Sequence, residues 1–177
     1  MLCLPLFLVI TLMSALIYVC IQQEIRSSAN DPQVQIGEDT ISKLSAGRNA
    51  QTLVSIDMID IDKSLSPFTI IYDNSYNVIA SSALLNNHTP ALPIGVFHVI
   101  DKDGKAIFTW QPADSVRVAA VVTKYNSGYV LTGRSLREVE KRESKILYYV
   151  FSGWLLTLAL TFLTLIVLNH KSLFKNV

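Results

Sequence analysis

Gly133-Arg134-Ser135-Leu136-Arg137-Glu138-Val139-Glu140-Lys141-Arg142-Glu143-Ser144-Lys145 leads without a break into Ile146-Leu147-Tyr148-Tyr149-Val150-Phe151 and on to Leu168. Ser135 with Glu138 three residues on is a capping box, in which a hydroxyl and a carboxylate satisfy the free amides of a helix start. A charged, helix-favouring run follows to Lys145, and the next twenty-three residues, 146–168, carry no charge. As a helix that run spans roughly 34 Å, enough to cross a hydrocarbon core of about 30 Å with some tilt. The stretch therefore predicts one rod, half in water (134–145) and half in lipid (146–168), with a folded domain at its aqueous end. Glu138 and Arg142 form a favourably ordered i,i+4 pair on the stalk.

The composition suits this layout. Half of the 177 residues are apolar and 16% are charged, which is too greasy for an ordinary soluble protein. A formal net charge of +1 leaves no basic face of the size that nucleic-acid binding needs. Cys3 and Cys20 both fall in the first apolar run, so the aqueous part has no disulfide framework, and Val19 before Cys20 does not suit a lipoprotein cysteine.

Residues 1–21 are an apolar run with Thr11 and Ser14 as its clearly polar members. A signal anchor and a cleaved secretion signal compete for it. The missing basic n-region and the length favour an uncleaved first membrane helix, while Ser27-Ser28-Ala29 offers small residues for cleavage. The aqueous domain covers 22–133. Asp31-Pro32 reads as a new helix start, Val34, Ile41 and Leu44 keep helical spacing, and Gly47 ends the element. Across Ala50 to Asp62, helix and strand templates fit equally well.

From Pro67 the pattern turns to strands. Phe68 to Tyr72 and Asn77 to Ala80 flank Asp73-Asn74-Ser75-Tyr76 as a hairpin. Val96 to Ile100 and Lys105 to Trp110 flank Asp103-Gly104, a two-residue hairpin signal. Ser115 to Tyr125 turns at Asn126-Ser127-Gly128 into Tyr129 to Thr132. Strands joined mainly by hairpins and preceded by helices predict an α+β domain with an antiparallel sheet, flanked by two transmembrane helices.

The tail 169–177 holds His170, Lys171 and Lys175 and no acid. Basic residues favour the cytoplasmic side, and a loop of more than 100 residues translocates regardless of its charge. The expected topology has both termini inside and the domain outside, in the cell membrane.

Four stretches resemble a bacterial membrane-bound sensor family, in which two membrane helices bracket an extracytoplasmic PAS-like (Cache-type) domain, as at the N-terminus of many histidine kinases. They are Ser28-Ala29-Asn30-Asp31-Pro32-Gln33, Ser64-Leu65-Ser66-Pro67-Phe68, Trp110-Gln111-Pro112 with Val116-Arg117, and Gly128-Tyr129-Val130-Leu131-Thr132-Gly133-Arg134 through Glu140. The resemblance covers most of the chain, and its motifs are structural rather than catalytic. A sensor kinase continues after its second span into a phosphoacceptor histidine and an ATP-binding domain. Here only Asn169 to Val177 follow, so His170 receives no phosphotransfer role and a partner protein is expected to carry any output.

Arg117 interrupts an apolar strand, and its planar fork suits a carboxylate. The resemblance implies a small organic acid or amino acid as ligand. With Trp110 and Tyr72 as aromatic walls and His98 as a polar neighbour, a small-anion pocket can be drawn. The competing readings make Arg117 half of an internal ion pair, with an acid such as Asp114, or a side chain pointing to water. Trp110 also fits the core.

Asp101-Lys102-Asp103-Gly104 resembles the opening of a calcium loop, but Pro112 stands where the loop needs its glutamate, so a plain turn is expected. Asp57, Asp60 and Asp62 read as a solvated face rather than a cation site. His88 and His98 lack partners at zinc spacing, and no nucleophile elbow, Walker loop or dinucleotide motif occurs. No cofactor, metal or enzymatic activity is therefore expected. Asn87-His88-Thr89 matches a glycosylation sequon.

In the second span Gly153, Thr157 and Thr161 recur every four residues, a small-residue face on which helices pack closely. Its partner is the first span, a second copy or another membrane protein. Ordinary membrane-helix composition explains it equally well. Tyr148, Tyr149 and Trp154 suit an aromatic belt at one end of the span. The sequence thus predicts a membrane-anchored extracytoplasmic sensory or regulatory protein acting through a partner. The alternative is an accessory or structural subunit that senses nothing.

Overall fold

The computed structural model describes residues 3–174, with side-chain surroundings for 4–167. Met1 and Leu2 of the expected first span and Lys175 to Val177 of the expected tail lie outside the described residues, and so do the side chains of His170 and Lys171. In chain order the elements are α1 (Cys3–Ser45), α2 (Ala50–Leu53), β1 (Ile59–Asp60), β2 (Phe68–Asp73), β3 (Val78–Ser81) and β4 (Ala83–Leu84). They continue with α3 (Ile94–Asp103), β5 (Lys105–Ala113), β6 (Val116–Tyr125), β7 (Gly128–Ser135) and α4 (Arg137–Phe174). The chain divides into a sheet unit, Arg26–Glu140, and a helical unit made of the residues before and after it.

The sheet unit is α+β. Five antiparallel strands lie in the order β3-β2-β7-β6-β5, and β1 and β4 form a small parallel pair beside them. Period-two alternation sorts the side chains onto two faces. Phe68, Ile70 and Tyr72 of β2, Tyr129 and Leu131 of β7, and Val116, Val118, Ala120 and Val122 of β6 enter one core. Trp110 of β5 and Phe97 and Ile100 of α3 join them. On the other face Ile71, Ala80 and Val130 pack under Ile41 and Leu44 of α1 and under Leu53 of α2. Because helices cover both faces, the central strands are apolar at nearly every position. Each large side chain removed from water there contributes about 1.5–3 kcal/mol.

One register detail fixes the junction with α4. Gly133 of β7 sits opposite Phe68 of β2. A Cβ on Gly133 would stand 2.5 Å from the Phe68 ring and 2.8 Å from Val118, so only glycine lets the ring lie across the strand.

The structure corrects two element expectations. Val96 to Ile100 is not a strand: α3 runs through it, burying Phe97 and Ile100 three residues apart. Asp103-Gly104 is correspondingly no hairpin turn. Gly104 closes α3 at φ 75°, and its amide donates to the Ile100 carbonyl at 2.7 Å. A five-residue apolar run fits helix and strand alike, and glycine serves a left-handed helix cap as readily as a turn. The second correction concerns Asp31-Pro32, which starts no new helix. α1 is continuous, with Pro32 inside it. An internal proline costs about 3 kcal/mol. Packing of the sheet-facing stripe from Gln33 to Leu44 outweighs that loss. Helix α1 does end where expected: the Gly47 amide donates to Leu44 and the Arg48 amide to Lys43, the paired bonds of a Schellman close. Between Ala50 and Asp62 the two templates divide the segment, giving a short helix and then a two-residue strand.

In the helical unit α1 and α4 are each long and apolar enough to cross a membrane. They meet at Thr11, Ser14, Ala15 and Tyr18 of α1 and Leu147, Val150, Phe151 and Trp154 of α4, where the Trp154 indole donates to the Thr11 hydroxyl at 3.1 Å.

Candidate functional site

Strand β7 passes into α4 through a single residue, Leu136, and three arginines gather around that step. The Leu136 amide donates to the Arg117 carbonyl at 2.8 Å, which holds the step against β6. Arg117 donates from Nη1 to Glu140 Oε1 at 2.6 Å, an ion pair joining β6 to the start of α4. Arg137 donates to the carbonyls of Asp62 and Lys63 at 3.1 and 2.8 Å, and Arg134 donates from Nε to the Leu65 carbonyl at 3.0 Å. The loop between β1 and β2 is thereby fastened to the strand–helix junction. Ser135, the expected cap, ends β7, and its hydroxyl accepts from the Arg137 amide at 3.4 Å.

These groups border a cleft of about 270 Å³. Ile61 and Val116 give it an apolar floor. Its polar lining is Asp62, Ser115, Arg117, Ser135, Arg137 and Glu140. Two guanidinium groups and two carboxylates balance one another in charge. Charge-assisted bonds to a planar fork are the strongest and most directional contacts such a lining makes.

Of the four residues expected to form an anion pocket, Arg117 alone lines this cleft. Trp110 is buried in the core, its ring 6.5 Å from that of Phe68. Tyr72 is also buried, edge-on to Phe97 at 5.1 Å. Its hydroxyl lies beside the Leu92 backbone without meeting full hydrogen-bond geometry, and burial pushes its pKa far up. His98 lies on the exposed side of α3, edge-on to Tyr76. Val116 and Val118 point into the core, so Arg117 between them turns away from Trp110 and Tyr72. Its ion-pair partner is Glu140 rather than Asp114.

Sequence reasoning missed two features. Glu140, Arg134 and Arg137 all fall in the charged stalk of residues 134–145, where any of them suits solvent. The partners of Arg134 and Arg137 are backbone carbonyls, which leave no trace in sequence. The second feature centres on Asp101, which accepts from Lys124 Nζ and the Tyr129 hydroxyl at 2.6 Å each and from the Tyr76 hydroxyl at 3.1 Å. The Lys124 ammonium, with the two phenols, holds the Asp101 carboxyl down at about 2. Tyr76 adopts φ 65° and stacks on Phe97 at 4.6 Å, so this cluster ties the β2–β3 turn to α3 and β6.

The other expected polar groups serve local structure. Asp60 pairs with Lys63 at 2.8 Å. Among the described residues no three His, Cys, Asp or Glu side chains gather as a metal site would require. In α4 the hydroxyls of Thr157 and Thr161 donate back to the carbonyls of Gly153 and Thr157, each at 2.7 Å. Gly153 and Thr157 are exposed, and α1 meets α4 on the neighbouring face that carries Val150 and Trp154.

No protein-family model matches the chain, and no curated protein or solved structure is significantly similar to it.

Proposed function

We propose that this is a membrane-anchored sensory or regulatory protein without enzymatic activity. Its sheet unit is a PAS-like, Cache-type module on the extracytoplasmic side of the cell membrane, and its output passes to a partner, either another membrane protein or a second copy. The observation that carries this reading is the step from β7 into α4. One residue separates the last central strand from a helix long and apolar enough to cross a bilayer, and Arg117, Arg134 and Arg137 brace that step. A direct strand-to-helix step of this kind suits passing a change in the sheet on to α4. The five-stranded antiparallel sheet, with a helix covering each face, suits a PAS-like module.

A ligand can shift such a protein only as far as it binds two states with different affinity. A small organic acid or amino acid remains the ligand class we favour, now at the Arg117 cleft rather than among Trp110, Tyr72 and His98. The filled aromatic core favours a second reading, an accessory subunit whose sheet unit is a docking surface with no small ligand.

Thermal-shift screening of the full-length protein in lipid nanodiscs against amino acids and organic acids separates the two. Stabilisation by a subset of these compounds is expected of a sensor. A stable membrane complex that co-purifies, with no response to any compound, would establish the accessory role and refute sensing of these ligands.

A further inference from the structure

We propose that the cleft beside α4 is an anion-exchange site, in which a small, singly charged carboxylate takes the Arg117 fork from Glu140 and so unties β6 from the start of α4. The inference rests on the sensory reading and gives it a location and a regulatory step.

Glu140 itself identifies what the fork accepts. It is a carboxylate seated on Arg117 at 2.6 Å, an internal occupant of the kind an outside ligand would replace. On Arg117 it reaches Nη1, and the remaining N–H groups of Arg117 have no acceptor among the described residues. A free carboxylate can take two N–H groups side by side, and bidentate pairing is the geometry that guanidinium favours. The Ser115 hydroxyl borders the same space and has no protein partner among the described residues.

Arg137 adds a second positive charge, yet its fork is committed to the carbonyls of Asp62 and Lys63. It therefore attracts an anion without having to let go of its own partners. Asp62 and Glu140 limit that attraction to a single negative charge, because a dianion would meet both carboxylates. The volume of about 270 Å³ lies below the range of drug-sized pockets, so the ligand has only a few heavy atoms. Its apolar remainder would lie on Ile61 and Val116. The Arg117 and Glu140 side chains are 49% and 41% exposed, so the pair is weak enough for exchange.

Binding linkage is reciprocal: if an anion weakens the Arg117–Glu140 pair, removing Glu140 must strengthen anion binding by the same factor. The two halves of one ion pair then respond in opposite directions, which a purely structural pair does not do.

The test titrates acetate into full-length protein in nanodiscs at constant ionic strength, with chloride as the balancing anion. Affinity is read from the thermal shift, and protection of the Glu140 amide is read by hydrogen exchange. Wild type should bind acetate over chloride and lose protection at the start of α4. Arg117→Ala should weaken binding at least tenfold, and Arg117→Lys, which keeps the charge without the fork, by a smaller factor. Glu140→Gln should tighten binding about two- to fivefold, the range of an exposed ion pair. Acetate indistinguishable from chloride, or Glu140→Gln weakening binding as Arg117→Ala does, would overturn the proposal. Acetate binding that survives Arg117→Ala would also overturn it, while leaving a sensory protein with its site elsewhere.

Discussion

Gly133→Ala is the most demanding single substitution for the sheet, because it tests the register that delivers β7 to α4. An added Cβ would lie 2.5 and 3.0 Å from two carbons of the Phe68 ring and 2.8 Å from Val118. Ordinary carbon contacts begin at about 3.5 Å, so the ring must retreat by about 1 Å inside a filled core. Overpacking of this kind costs about 1–3 kcal/mol. The alanine recovers about 0.4–1 kcal/mol by restricting the unfolded chain. The net expectation is a loss of about 1–2 kcal/mol, and each kcal/mol lowers Tm by roughly 3–6 °C for a unit of this size.

Thermal unfolding of the sheet unit, followed by near-UV circular dichroism on full-length protein, measures the loss. Phe68→Leu supplies the control. Its shorter side chain should accommodate the new methyl, so the double variant should be about 1 kcal/mol more stable than the sum of the single effects. Unchanged stability for Gly133→Ala, or strictly additive effects, would show that Phe68 does not lie over Gly133 and would undo the β2–β7 register.

Three further outcomes follow from particular contacts. Asp101 has a folded pKa of about 2, below its ordinary value of 3.8, so its stabilisation is complete above pH 4 and is lost as the pH falls toward 2; Asp101→Asn should flatten Tm against pH in that window, and an unchanged slope would contradict the cluster. Tyr72→Phe removes a buried hydroxyl that lies beside the Leu92 backbone without full hydrogen-bond geometry, so stability should change by less than about 1 kcal/mol, whereas a larger loss would reveal a bonded phenol. Trp154→Phe deletes the bond to Thr11 and should weaken the pairing of α1 with α4 by about 0.6 kcal/mol, seen as slower disulfide formation between cysteines placed at Ser14 and Val150.

The sheet was legible because its signals are local. Phe68 to Tyr72, Asn77 to Ala80, Ser115 to Tyr125 and Tyr129 to Thr132 are apolar runs separated by turn residues, and each is a strand at nearly the expected place. Both long apolar helices were equally plain. Helix α3 was hidden because Val96 to Ile100 is too short to declare a period, and because Gly104 answers to two geometries. The continuity of α1 was hidden because Asp31-Pro32 is a sound local start that tertiary packing overrides.

The site was half legible. Arg117 stood out as a charge in an apolar strand, but its partner lies twenty-three residues away on an element whose charges suit a stalk equally well. The walls drawn around it failed because alternation turns Arg117 away from the face that holds Trp110 and Tyr72. The Arg134 and Arg137 clamps end on carbonyls, which every residue has.

Sidedness is the claim on which the account stands. In a background with both cysteines replaced, one variant carries Lys102→Cys on the exposed side of α3 and another carries Lys175→Cys. A membrane-impermeant maleimide applied to intact cells should label the cysteine at 102 at once and the one at 175 only after the membrane is opened. The reverse pattern would place the sheet unit in the cytoplasm and contradict the proposed function at its root.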